Sequence, residues 1–249
     1  MEILYNYSLI LIFSSAVIVF LLLFFVSAPY GKFRREGWGP AIRAKWAWMI
    51  MEVISPFLIA FFFIISERKS VPLFIFISLW LMHYLHRTFI YPFRQSGRNK
   101  PVPLILVIFA IVFNSLNGLV NGYGIFHIHS YDLSWLLSWQ FIAGTMIFMT
   151  GFIINKTADE KLRSFRNKNP NEYVLPRGWL FDYISSPHYF GEIIEWGGWA
   201  IMTWSLPGLA FFVFTFANLF PRAVITHRWY REKFPAYPAG RKAVIPFIL

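Results

Sequence analysis

Seven stretches of this sequence are long and apolar enough to cross a lipid bilayer as helices, and that recurrence constrains the fold more than any other feature. A transmembrane helix needs about 20 mostly apolar residues. The stretches lie near Leu4–Ser27, Ala44–Ser66, Val71–Tyr91, Pro103–Ile125, Leu133–Asn155, Ser186–Trp204 and Pro207–Ile225. The first is too long for the apolar region of a signal peptide and has no basic segment before it, so it is read as a retained helix. The sixth is the least apolar, because it carries Glu192 and Glu195. The expected fold class is therefore an all-α integral membrane protein of seven transmembrane helices. No long polar block is present to build a separate soluble unit, so residues 1–249 are read as one membrane domain.

Composition agrees: 14% of residues are charged, where a soluble domain carries about a quarter. The net charge of +11 could suggest a nucleic-acid partner, but its distribution gives a simpler reading. Lys and Arg number five in Gly31–Lys45, three in Pro92–Val102, six in Lys156–Arg177 and six in Arg222–Lys242, whereas the opposite loops hold only Arg68 and Lys69. Basic loops face the cytoplasm. The expected topology has the N-terminus outside and the C-terminus in the cytoplasm, with Lys156–Arg177 as a structured cytoplasmic loop, membrane lipids as neighbours and no nucleic acid. A bacterial inner membrane and the endoplasmic reticulum fit this pattern equally. A monomer is the expected state. The sequence has no cysteine, which excludes disulfides, thiolate metal sites and cysteine nucleophiles.

Ionisable groups inside membrane segments are costly and usually face a cavity or a partner. Here they are Glu52, the run His83-Tyr84-Leu85-His86-Arg87, the pair Glu192 and Glu195, and Arg222 with His227. Their convergence suggests a polar cavity. Glu192 and Glu195 are three apart and share a helix face, and Arg87 follows His83 by four and Tyr84 by three. A carboxyl at Glu52 in a low-dielectric setting is expected to hold its proton. It could then donate a hydrogen bond beside a tyrosine, and two donors aimed at one carbonyl would polarise it. The histidine pairs His83/His86 and His127/His129 could bind metal, but the few histidines and the placement of the second pair argue against it, so no metal is expected. Neither a G-x-G-x-x-G nor a Walker sequence is present. Arg98, Arg166, Arg222 and Arg241 could take phosphates in forked geometry, or could be topology charges that meet lipid headgroups.

Several segments together carry a resemblance: His83 to Tyr91 (HYLHRTFIY), Gly191 to Trp196 (GEIIEW), Ala200 to Pro207 (AIMTWSLP), Tyr237 to Ile248 (YPAGRKAVIPFI), and the spacing Asn155, Asp159, Arg166. The chain is similar to the steroid 5α-reductase family over nearly its whole length, nearest its type 2-like members. That resemblance implies a seven-helix membrane enzyme using NADPH to reduce the C4–C5 double bond of a 3-keto-Δ4 steroid. It implies Glu52 and Tyr84 as the catalytic pair that holds the 3-keto oxygen. It also implies cofactor contacts at Arg98, Asn155, Asp159, Arg166, Tyr173, His188, Glu192, Arg222, Thr226 and Tyr230, with arginines taking the pyrophosphate and the 2′-phosphate. Met51, His188 and Thr226 depart from the family pattern, standing where glutamine, asparagine and histidine are expected.

Other readings stay open at this point. A relative acting on an enoyl thioester or a polyprenol would share the cofactor site. A seven-helix lipid-binding protein without chemistry would have no need of the cytoplasmic Asn/Asp/Arg constellation. A transporter is disfavoured by the absence of internal repeats. Glu192 could instead pair structurally with Arg222, and Trp196, Trp199 and Trp204 are read as packing or interface residues.

Overall fold

A computed structural model describes residues 1–168 and 172–248 of the chain. Helix α1 spans Glu2–Phe25, α2 Ala44–Glu52, α3 Ile54–Ile65, α4 Val71–Leu85, α5 Tyr91–Arg94, α6 Leu104–Tyr123, α7 Trp139–Lys168, α8 Pro187–Thr203 and α9 Leu206–Lys233. Among the described residues, six stretches are long and apolar enough to cross a membrane: Glu2–Phe25, Ala44–Ile65, Val71–Arg94, Leu104–Ile128, Trp139–Lys168 and Leu206–Lys233. The protein is thus a multi-pass, predominantly helical membrane protein. The remaining stretch expected to cross forms α8, a helix of 17 residues that is not among these six and packs against α7 and α9.

Several boundaries differ from the sequence expectation, each for a local reason. The second span breaks between α2 and α3 at Val53. Pro56 has no N–H to give the carbonyl four residues back, which is that of Glu52, and its ring crowds that carbonyl. Asn114 of α6 supports the break, donating from Nδ2 to the Met51 carbonyl at 2.7 Å. The third span passes through a wide π turn over His86–Ile90 before α5, where Pro92 again removes a donor. Single turns of this kind often accompany functional sites. The fifth span begins at Trp139, after a 3₁₀ turn over Leu133–Leu137, rather than at Leu133. It then continues to Lys168, so the first part of the expected loop Lys156–Arg177 is helix. Residues 169–171 of that expected loop lie outside the described residues. Two strands of three residues were not anticipated: β1 (Ala41–Arg43) pairs antiparallel with β2 (Pro101–Pro103).

Helices α7 and α8 touch backbone to backbone. A Cβ at Gly151 would lie 2.2 Å from the Glu195 nitrogen, and one at Gly191 would lie 2.4 Å from the Asn155 nitrogen. Small residues at helix interfaces permit this approach in a membrane, where the hydrophobic effect does little to hold helices together. The core beside these helices is aromatic, with Trp80, Trp196, Trp199, Phe76 and Phe148 all sealed from solvent. Trp196 and Trp199 are therefore core residues, whereas Trp204 is exposed.

Candidate active site

The close approach of α7 and α8 sets the geometry of a cavity of about 900 Å³, near the upper end of the ~300–1,000 Å³ common for small-molecule sites. Asn155 of α7 donates from Nδ2 to the His188 carbonyl at 2.9 Å and reaches Glu192 Oε2 at 3.4 Å. Asp159 and Arg166 follow on α7, one and three turns further along. Helix α9 adds Arg222, Thr226 and Tyr230, and Tyr173 closes another wall. Nine of the ten sequence-derived cofactor positions line this one cavity. The tenth, Arg98, does not: it is exposed and donates to the Phe93 carbonyl at 3.0 Å. Arg241 also stands apart, with its guanidinium 5.1 Å over the Tyr237 ring.

The walls hold polar atoms that the protein leaves without partners. Asn155 Oδ1, Asp159 Oδ2, His188 Nδ1, His86 Nδ1 and Lys156 Nζ are all buried and make no hydrogen bond among the described residues, and all five residues line the cavity. Buried polar groups are ordinarily satisfied, and an unmade bond costs about 1–3 kcal/mol. Such a set fits a large polar ligand with both donors and acceptors. The cations fit an anionic one: Lys32, Arg166 and Arg222 all line the cavity, and among the described residues none is within 4 Å of a carboxylate. Arg222 instead stacks 5.1 Å from the Tyr30 ring.

In the sequence Lys32 counts only as one of the five basic residues of Gly31–Lys45. Its ammonium lies 4.5 Å from the Trp229 ring and 4.4 Å from the Tyr230 ring, a cation–π setting. Burial, together with repulsion from Arg166, brings its pKa down to about 7. No local sequence pattern signals this, because the aromatic partners come from the far end of the chain.

The expected carbonyl-binding pair lies deeper. Tyr84 is 3% exposed and stacks on Trp80 at 5.1 Å, while the Trp80 indole N–H donates to Ser55 Oγ at 3.2 Å. Glu52 sits at the helix break and does not touch Tyr84 through a direct hydrogen bond. Its partner is Arg87, which donates from Nε to Glu52 Oε1 at 3.4 Å. The same guanidinium places Nη2 3.9 Å from Glu192 Oε2, so Glu192 faces Arg87 rather than Arg222. Trp48 and Tyr91 hold it at 4.7 and 4.9 Å from their ring centres. Arg87 thus bridges the carboxylate at the helix break and the carboxylate on the cavity wall. Its position four residues after His83 marks it as a cavity residue, and its position four before Tyr91 brings that ring within reach, but its carboxylate partners Glu52 and Glu192 come from other helices. Met51 turns away from this region and packs with Ala47, Val102 and Val107. The second histidine pair lies just past the end of α6, outside the cavity lining, with His127 Nε2 3.0 Å from the Phe62 carbonyl.

A family model described as 3-oxo-5-alpha-steroid 4-dehydrogenase matches residues 100–249. Steroid 5-alpha-reductase DET2 of Gossypium hirsutum is 42% identical over 251 residues, covering 98% of this chain and 97% of that protein. The protein of the same name from Arabidopsis thaliana is 43% identical over 239 residues, covering 91% and 90%. The human protein named 3-oxo-5-alpha-steroid 4-dehydrogenase 1 is 37% identical over 225 residues, covering 89% and 86%. The family match contains α7, α8 and α9, and the longer alignments span most of the chain.

Proposed function

This chain belongs to the 3-oxo-5-alpha-steroid 4-dehydrogenases, the steroid 5α-reductases, and on that premise we propose that it reduces the C4–C5 double bond of 3-keto-Δ4 steroids with NADPH. Members of the family are oxidoreductases, so catalysis of a redox reaction is part of its identity. The observation that carries the finer reading is the set of buried, unpaired polar atoms on α7 and α8, in a cation-rich cavity joined to Glu52 through Arg87.

The cofactor that these residues would hold is NADPH, whose chemistry when bound would be donation of a hydride to the β-carbon of the enone. Asn155, Asp159 and His188 offer hydrogen-bonding atoms that lack protein partners and would hold its uncharged polar groups. Lys32, Arg166 and Arg222 would take the phosphates, and such a cluster favours the more anionic of the two nicotinamide cofactors. Glu192, Tyr173, Thr226 and Tyr230 complete the walls.

Negative charge developing on a 3-keto oxygen during reduction would be stabilised by preorganised donors of this chain. Tyr84 is one donor, its ring held by Trp80. Glu52 and Glu192 share a single guanidinium, and one proton on the two carboxyls makes the trio neutral. Carried on Glu52, that proton gives the second O–H donor. The apolar remainder of the steroid lies among the aromatic side chains and is taken from the membrane, and lipids are the chain's other partners.

The proposed topology has seven crossings, with α8 as the sixth, an external N-terminus and a cytoplasmic C-terminus. The chain is read as one domain acting as a monomer, in a bacterial inner membrane or the endoplasmic reticulum. Purified protein supplied with NADPH and progesterone or testosterone is expected to give a product two hydrogens heavier with 5α stereochemistry, identified by mass spectrometry. NADPH binding without any steroid product would overturn the substrate assignment, and no NADPH binding would overturn the cofactor assignment.

A further inference from the structure

We infer that His83 and Glu195 are positioning residues for this reaction: their buried hydrogen bond keeps the helix carrying Tyr84 in register with the helix carrying Glu192. The inference rests on the reductase reading above.

His83 Nδ1 lies 2.7 Å from Glu195 Oε1, with side-chain exposures of 3% and 0%. His83 immediately precedes Tyr84 and stands four residues before Arg87, while Glu195 stands three after Glu192. The order reverses across the pair of helices, His83 with Glu195 and Arg87 with Glu192. The result is two polar cross-links, one helical turn apart, between the segment holding the carbonyl donor and the wall of the cofactor cavity.

These cross-links matter because the other contacts between α4 and α8 are ring contacts, Trp80 lying 5.3 Å from Trp196 and 5.0 Å from Trp199, which hold the helices together without the directionality of a hydrogen bond. Helix α8 packs closely on α7 and α9, and its link to α4 runs through side chains. The wide turn at His86–Ile90 also interrupts regular helix just beyond Tyr84. The imidazole sits 4.7 Å from the Trp196 ring and 5.0 Å from that of Tyr84. The other oxygen of Glu195 has no hydrogen-bond partner among the described residues, so among them the bond to His83 is the carboxyl's one direct hydrogen bond. Burying these groups is costly in a membrane, and apolar replacement of a buried pair is often neutral or stabilising. What the pair supplies is direction, which suits a reaction requiring two sites at a set distance.

The test uses full-length protein in detergent. The double variant His83→Phe/Glu195→Leu removes the bond and both polar groups. It is expected to fold and to keep its NADPH Kd and steroid KM within about threefold of wild type, while kcat falls about 10- to 100-fold, the scale of a small misplacement of reacting groups. The isotope effect from NADPH deuterated at the nicotinamide C4 is expected to rise as hydride transfer becomes limiting. Glu195→Gln keeps an oxygen for the imidazole N–H and is expected to retain kcat within about fivefold. A double variant with kcat within about twofold of wild type overturns the inference. A double variant that fails to fold also overturns it, since the pair would then be needed for stability. A Glu195→Gln loss as large as that of the double variant overturns it in favour of a charge effect. Absence of turnover in the wild-type protein sinks the reductase reading, and this inference with it.

Discussion

Arg87 donates from Nε to Glu52 across 3.4 Å while its Nη2 faces Glu192 at 3.9 Å, so one guanidinium serves both the deep carboxyl and the cavity wall. A planar fork held between Trp48 and Tyr91 does this where a point charge could not. Arg87→Lys is expected to lower kcat/KM for steroid by about 100-fold, because the two carboxyls lose their common partner and its geometry. Steady-state kinetics with saturating NADPH measure this, and a change smaller than about threefold would remove Arg87 from the proposed site.

Tyr84 and Glu52 are assigned to the substrate rather than the cofactor. Tyr84→Phe is expected to reduce kcat by about 10²–10³-fold, as loss of one oxyanion donor does elsewhere. Glu52→Gln, which keeps a donor but not the carboxyl, should cause a smaller loss. NADPH affinity, followed by fluorescence titration, should stay near wild type in both. Unchanged turnover in Tyr84→Phe would end the donor assignment.

On the proposed reading, Lys32 is expected to make cofactor binding depend on pH. Its pKa of about 7 is below the usual lysine value, so the free protein carries this charge below about pH 7 and loses it above. A bound phosphate raises the pKa again. NADPH affinity should therefore fall as pH rises through about 7, until the higher pKa of the complex is passed. Binding near pH 8 should take up a proton, measurable by calorimetry in buffers of different ionisation heat. Lys32→Met should abolish the uptake and flatten the profile. Uptake that persists in that variant would assign the proton to another group.

Much of this architecture is legible in the sequence because apolar runs report membrane helices directly, and α8 was bounded to within a residue. The missed features are those where hydropathy and helix part company. Helix α7 continues from Asn155 to Lys168 although its residues turn polar, because a helix leaving the membrane satisfies its own backbone in water as well as in lipid. Pro56 marked a break that a window average smooths over. The strand pair Ala41–Arg43 and Pro101–Pro103 is too short to produce a pattern. Within the site, residues three and four apart could be placed on one face, but the partners of Lys32 and the carboxylates facing Arg87 come from other helices. Arg98 was placed in the site by resemblance, and the fold puts it outside the cavity.

The backbone contact between α7 and α8 carries its own expectation. Gly151→Val would set a side chain against the Glu195 backbone, where even a Cβ has only 2.2 Å, so the helices must part. Forced overpacking costs about 1–3 kcal/mol, and here it also displaces Asn155 from the His188 carbonyl. Both the melting temperature in detergent and NADPH affinity should fall. A variant that melts like wild type and binds NADPH equally well would contradict the close packing of these helices.

The most direct measurement follows the hydrogen itself. NADPH deuterated at both C4 positions of the nicotinamide would be supplied with progesterone in ordinary water, and the product examined by mass spectrometry and NMR. The expected product carries one deuterium at C5 in the α configuration and one protium from solvent at C4, with Tyr84→Phe strongly impaired. A reduced steroid with no deuterium at C5, or with deuterium at C4 instead, would contradict hydride delivery to the β-carbon of an enone polarised at its carbonyl.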